Sequence, residues 1–470
     1  MVVDTGPNRT QVGGSSHTGP VALRGHIVSC LADPFFSSDQ EPLLDIPDGV
    51  VIIHDGLIAA VGSYATTTVD ASIPVMDYGD CLISAGFIDS HVHYVQTPII
   101  GSYGRHLLDW LNTYTFPDEQ RFADPDYAAS VATFFFDQLL RNGTTSALVF
   151  CAVFAESVDA FFTEASRRNM RMVGGKVLMN RNAPPGVLDT VQSGYDDSKA
   201  LLEKWHGVGR GLYAITPRFA PTSTEGQLEA AGQLRREFPS ALVHTHVSEN
   251  IAEIAWVRAL FPERDGYLDV YDHAGLLGPK TVLAHGVHLT GSERERCSET
   301  GTAIAHCPTS NLFLGSGLFH IHQAKNARHP IAVGLGTDIG AGTSFSLLAT
   351  MGEAYKVAEL TSYPLDAVKL LFLATLGGAE ALGIADKVGS IEVGKEADLV
   401  VLDTRASELQ AYRRDQVCSV EEQLFLLSVL GDDRSIRATY IAGEIAHARE
   451  DSNAVGRPGS AALIRPPVPV

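Results

Sequence analysis

Two histidines separated by one residue, His91 and His93, close the apolar run Leu82-Ile83-Ser84-Ala85-Gly86-Phe87-Ile88-Asp89-Ser90. Residues i and i+2 of a β-strand share a face, so both imidazoles point the same way. Neutral imidazoles held side by side at a strand end suit one divalent metal ion. A lone His-x-His says little, and a metal centre needs further ligands from elsewhere in the chain.

Other apolar runs end in the same residue types. Leu242-Val243-His244-Thr245-His246-Val247 leads into Ser248-Glu249, Leu283-Ala284 into His285, Ile304-Ala305 into His306, and Gly334-Leu335-Gly336-Thr337 into Asp338. His91, His93, His246 and Asp338 make a ligand set for zinc, or for ferrous iron, with one position left for water. His285 is expected to face that position and to hydrogen-bond the water or a substrate. Glu249, just past the strand that carries His246, can take a proton from the water and hand it on.

The remaining histidines read differently. His320 and His322 repeat the His-x-His spacing, but in a helix or loop context where i and i+2 diverge. His244, two before His246, should lie one layer deeper, as packing or support. His306 has no ligand role left to fill and reads as support. His26, His54, His206 and His273 have no supporting context.

The elements that must position these groups alternate strand and helix. Eight apolar strand candidates run Ile83–His91, Ser146–Cys151, Met172–Met179, Gly211–Thr216, Leu242–Val247, Thr281–Gly286, Ala303–Cys307 and Ile331–Thr337. Helical patterns such as Asp126–Asn142 and Val158–Arg168 lie between them. Eight β/α repeats over about 300 residues predict an α/β fold, a (β/α)8 TIM-like barrel, whose functional residues belong at the C-terminal strand ends. Short β runs precede it (Ala22–Cys30, Gly49–His54, Leu57–Val61) and follow it (Leu399–Asp403, Ala438–Ile445), predicting a small β-sandwich built from both chain ends. The expected organisation is a disordered tail over 1–20, sandwich over 21–82, barrel over 83–385, sandwich again over 386–450 and a second tail over 451–470. In binuclear barrels of this type a carboxylated lysine often ends strand 4. Here that strand ends Ile215-Thr216-Pro217-Arg218-Phe219, and Lys176 falls mid-strand, so one ion per subunit is expected.

Composition narrows the class of protein. The chain has 470 residues, 45% hydrophobic and 19% charged, as in ordinary globular proteins. A net charge of −20 argues against nucleic-acid and anionic-membrane partners, which select clustered Lys and Arg. Six dispersed cysteines without Cys-x-x-Cys fit a reducing, cytoplasmic location. No signal peptide and no run of about 18 apolar residues is visible, so no membrane span is expected. Asn8-Arg9-Thr10 and Asn142-Gly143-Thr144 match the glycosylation pattern by chance.

Gly86-Phe87-Ile88-Asp89-Ser90-His91-Val92-His93, the histidines of the fifth and sixth strands, Thr337-Asp338 and Gly389-Ser390-Ile391-Glu392-Val393-Gly394-Lys395-Glu396-Ala397-Asp398-Leu399 resemble the amidohydrolase superfamily from about Val21 to Arg449. Narrower blocks resemble its guanine deaminases: His91 to Gln96, Leu108-Asp109-Trp110-Leu111-Asn112-Thr113-Tyr114-Thr115-Phe116-Pro117, Thr216-Pro217-Arg218-Phe219, His246 to Asn250, and His306-Cys307-Pro308-Thr309-Ser310-Asn311. The resemblance implies zinc, a homodimer, and hydrolysis of guanine, a small purine substrate, to xanthine and ammonia. It implies that Gln96, Arg218 and Phe219 contact the purine; Trp110, by its flat aromatic ring, could form a further wall. Tyr94, Val95, His244 and His288 depart from the family pattern and could tune the pocket. Another amino-substituted heterocycle (ammeline, cytosine, adenosine or 8-oxoguanine) stays open as substrate. So does an inactive binding protein, although the complete ligand set and Glu249 stand against it. The other zinc deaminase architecture is excluded, because the chain has no Pro-Cys-x-x-Cys.

Overall fold

The computed structural model describes residues 19–36, 41–103, 107–450 and 463–464. The tails expected to be disordered therefore lie outside the described residues, apart from Gly19, Pro20 and a two-residue strand, Leu463–Ile464.

Two sheets organise the chain. In order, the strands are β1 (Val21–Cys30), β2 (Leu43–His54), β3 (Leu57–Ser63), β4 (Val75–Ala85), β5 (Phe87–His93), β6 (Thr144–Phe150), β7 (Arg171–Gly175), β8 (Val177–Leu178), β9 (Leu212–Pro217), β10 (Leu242–Val247), β11 (Thr281–His285), β12 (Ala303–His306), β13 (Val333–Leu335), β14 (Leu399–Leu402), β15 (Ile436–Ile441), β16 (Glu444–Ala448) and β17 (Leu463–Ile464). The chain ends form one mixed sheet in the order β16-β15-β14-β4-β1-β2-β3, with β17 on β4. The central strands form a parallel sheet in the order β13-β12-β11-β10-β9-β7-β6-β5, with β8 on β9. All eight strand candidates of the barrel are present.

The long apolar run 82–93 is shared between the sheets. Residues up to Ala85 pair with β14, and those from Phe87 pair with β6. The break falls at Gly86, where a Cβ would sit 2.3 Å from the Thr145 side chain. Period-two alternation then explains how the sheets stack. Leu82, Val400 and Leu402 pack into the cluster that contains the barrel helices, whereas Ile83, Ala85, Leu399 and Val401 face the opposite cluster. The final run, expected as one strand over 438–445, folds back instead. Ala442 and Gly443 both take positive φ, 47° and 79°, which is the two-residue hairpin turn between β15 and β16.

The barrel closes just beyond β13. Asp338 N donates to the His91 carbonyl at 2.9 Å, and His93 N donates to the Ile339 carbonyl at 3.0 Å. Gly336 allows the approach, since a Cβ there would lie 2.9 Å from both His91 Cβ and Cys307 Sγ. Buried Asp89 reinforces the seam by accepting from His91 N, Thr337 N and Thr337 Oγ1. No described helix is long and apolar enough to cross a membrane.

Candidate active site

The seam brings the sequence-selected residues together. His91 Nε2 and His93 Nε2 lie 3.2 and 3.4 Å from Asp338 Oδ1. His246 Nε2, from β10, lies 3.3 Å from His93 Nε2. His285, ending β11, places Nε2 3.7 Å from Asp338 Oδ2 and 3.5 Å from Glu249 Oε2. Donor atoms about 2.1 Å from one tetrahedral ion stand roughly 3.4 Å apart. The His/Asp separations match that spacing, and His91 Nε2 has no hydrogen-bond partner. This buried cluster is a metal-binding site by the chemistry of its donors.

The outward nitrogens are held as metal ligands require. His246 Nδ1 donates to the Arg218 carbonyl at 2.7 Å, leaving the Nε2 lone pair turned inward. His285 Nδ1 lies 2.9 Å from Asn311 Oδ1. His91 Nδ1 lies 2.8 Å from His244 Nε2, so the supporting group there is a second imidazole. Burial, reinforced by neighbouring positive groups, drives His91, His93, His244 and His246 well below 6.5, which keeps them neutral and able to ligate. Burial acts on His285 too, but the carboxylates of Glu249 and Asp338 overcome it and hold its pKa above 6.5.

Backbone strain gathers at the same strand ends. Ser248, His285 and Asp338 all take left-handed φ, 47°, 70° and 52°. Such conformations cost about 1–3 kcal/mol each and persist where the surroundings enforce them. Glu249 is fixed by the start of helix Ile251–Leu260. Glu253 Oε2 accepts from Glu249 N and Asn250 N, at 3.0 and 3.2 Å. The Glu249 carboxylate accepts from Ser316 Oγ at 2.9 Å, and burial raises its pKa.

A cavity opens over the cluster, lined by His93, His246, Glu249, His285 and Asp338 together with Gln96, Trp110, Arg218 and Phe219. The Trp110 indole N–H is buried without a protein partner. Arg218 is not free: Nη1 donates to both carboxylate oxygens of Glu119, at 3.0 and 2.8 Å. Sequence reasoning missed Glu119. The only signal was its place two residues beyond Phe116-Pro117, in a block otherwise read for its aromatics. Asn311 and Ser316 were also given no role, although Asn311 ends a block that carried the family resemblance.

Among the described residues, His306, His320 and His322 stay outside the cluster. His320 and His322 flank the start of the short helix Ile321–Ala324, with rings at right angles. His306 stacks on Phe319. Lys176 pairs with Asp189 at 2.6 Å. His288 bonds the carbonyl of Ser316 at 2.7 Å, the same residue whose hydroxyl holds Glu249.

Residues 82–446 match the amidohydrolase family. The chain belongs to that family. Guanine deaminases are among its relatives. The Escherichia coli (strain K12) guanine deaminase is 51% identical over 406 residues, covering 86% of this chain and 92% of the relative. The solved structure of E. coli guanine deaminase superposes with a TM-score of 0.88 at 49% identity, covering 92% of this chain and all of the other. Guanine deaminase from C. acetobutylicum with bound guanine in the active site superposes with a TM-score of 0.82 at 29% identity, covering 91% of this chain and all of the other. The amidohydrolase barrel and its two-ended sheet are thus the architecture of the described residues.

Proposed function

We propose that this amidohydrolase deaminates guanine hydrolytically to xanthine and ammonia, using one zinc ion held by His91, His93, His246 and Asp338. One observation carries the reading. Inward nitrogens and a carboxylate oxygen gather at ligand spacing beneath a cavity also lined by Arg218, Gln96 and Phe219. The guanine deaminases among its relatives supply the choice of substrate.

A zinc ion bound in this cluster would supply acidified water, its pKa lowered far below that of bulk water towards neutrality. Glu249, facing His285 across 3.5 Å, takes the water's proton as the oxygen attacks C2 of guanine. It delivers that proton to ring N3. Asp338 and His285 orient the attacking oxygen and stabilise the tetrahedral carbon. The remaining proton of the new C2 hydroxyl passes through Glu249 to the exocyclic amine, the C2–N bond breaks as the C2 carbonyl forms, and ammonia leaves. Arg218 presents planar donors to the O6/N7 edge, and Gln96 offers both donor and acceptor to the amide-like edge. Phe219 and Trp110 wall the ring. A cytoplasmic homodimer completes the proposal, consistent with six free cysteines.

The test is ammonia release by zinc-quantified protein, with guanine compared against ammeline, cytosine, adenosine and 8-oxoguanine. Guanine should be turned over with the highest kcat/KM. A higher value for any other member overturns the substrate assignment.

A further inference from the structure

The guanidinium offered to the purine already has a partner. Arg218 and Glu119 are 3% and 1% exposed, and Nη1 alone makes both contacts. Arg218 Nε and Nη2 have no protein partner among the described residues. Glu119 ends the short helix Phe116–Glu119, and the Phe116 ring lies 5.3 Å from the guanidinium carbon. The same Glu119 oxygen accepts from Gln96 Nε2 at 3.4 Å, while Gln96 Oε1 accepts from Gly340 N at 3.1 Å. One carboxylate therefore touches both side chains assigned above to the polar edge of the heterocycle, and together with Gly340 N it sets which way the Gln96 amide points.

Charge gives this contact a second effect. A buried guanidinium without a counter-ion attracts anions strongly, whereas a paired one presents donors with no net charge. The difference separates substrate from product. Guanine is neutral around neutrality. Xanthine, with two ring carbonyls, loses a ring proton more readily and is anionic in mildly alkaline solution.

We propose that Glu119 is a positioning and specificity residue. It directs Arg218 Nε and Nη2 at the purine and cancels the guanidinium charge, so that the pocket favours neutral guanine over anionic xanthine. The proposal rests on the guanine reading above.

The test compares zinc-loaded wild type, Glu119→Gln and Glu119→Asp in guanine kinetics. It also measures calorimetric binding of xanthine and hypoxanthine, a neutral comparator, in neutral and mildly alkaline buffer. Glu119→Gln should raise the guanine KM roughly thirtyfold. It should also shift the xanthine-to-hypoxanthine affinity ratio about tenfold towards xanthine in alkaline buffer. Glu119→Asp should raise KM but keep the wild-type ratio. General damage to the pocket would weaken both purines alike, so an unchanged ratio in Glu119→Gln overturns the proposal. So does an equal shift in Glu119→Asp. Should Glu119→Gln not fold, Glu119→Ala takes its place: a ratio shifted towards xanthine in alkaline buffer supports the proposal, and an unchanged ratio overturns it. Wild type that binds both purines but releases no ammonia from guanine overturns the deaminase reading instead, and the ratio still tests Glu119.

Discussion

His91 is held by His244: the two rings meet at 2.8 Å between Nδ1 and Nε2, with planes at 85°. When His91 turns the Nε2 lone pair towards a metal, its proton sits on Nδ1 and is donated to His244. Carboxylates and carbonyls are the usual partners at such a position. Here a neutral imidazole, buried against Phe150, takes the role.

Replacing His244 with Ala should therefore weaken zinc binding about 10- to 100-fold without removing a ligand. Competition with a chromogenic chelator measures this. Unchanged affinity would show that His244 is packing alone.

Glu249→Gln should retain zinc and lower kcat by about 10²- to 10⁴-fold, the usual worth of a positioned acid–base group. Steady-state ammonia release together with metal analysis checks both halves. Near-normal turnover sinks the proton-transfer assignment.

Arg218→Ala should do two things. It raises the KM for guanine, and it strands the buried Glu119 carboxylate at a cost of about 3–5 kcal/mol. Adding Glu119→Ala to the same chain should recover much of the lost Tm while leaving KM high. If the double variant recovers KM as well, Arg218 does not contact the substrate.

Glu253 predicts a pH effect on stability. Burial first, then the nearby Glu249 charge, pushes its carboxyl from 4.5 up to about 7. A folded-state pKa raised in this way means that the folded chain holds the proton more tightly than the unfolded chain. The resulting stability is full below about pH 4.5 and is lost as pH rises through about 7. Glu253→Gln, which mimics the protonated form and can still accept from Asn250 N, should flatten the fall in Tm across that window. Parallel Tm–pH curves for the two proteins would exclude this contribution.

Much of the architecture was legible in the chain. Barrel strands buried on both faces read as short apolar runs, and the parallel arrangement puts their polar last residues at one mouth. That is why His91, His93, His246, His285 and Asp338, spread over almost 250 positions, could be grouped from strand ends alone. The split at Gly86 was not legible, because both sheets ask for the same apolar residues. Glu119 was hidden for another reason. It reaches the site from a short helix rather than a strand, and an acidic residue after Phe-Pro-Asp looks like helix-start chemistry. His244 was legible as a neighbour of the cluster through its i, i+2 relation to His246. Its partner, on a different strand, was not.

The barrel's closing seam has one further consequence. His91 and Asp338 meet through Asp338 N and the His91 carbonyl, and their side chains face one candidate ion. A bound ion would thus cross-link the first and last staves of the barrel across about 250 residues of chain, a closure whose loss releases much conformational freedom. The metal would then act as a buckle as well as a reagent. Metal starvation would shorten the life of the protein, by opening the hoop to proteases, as well as silence it.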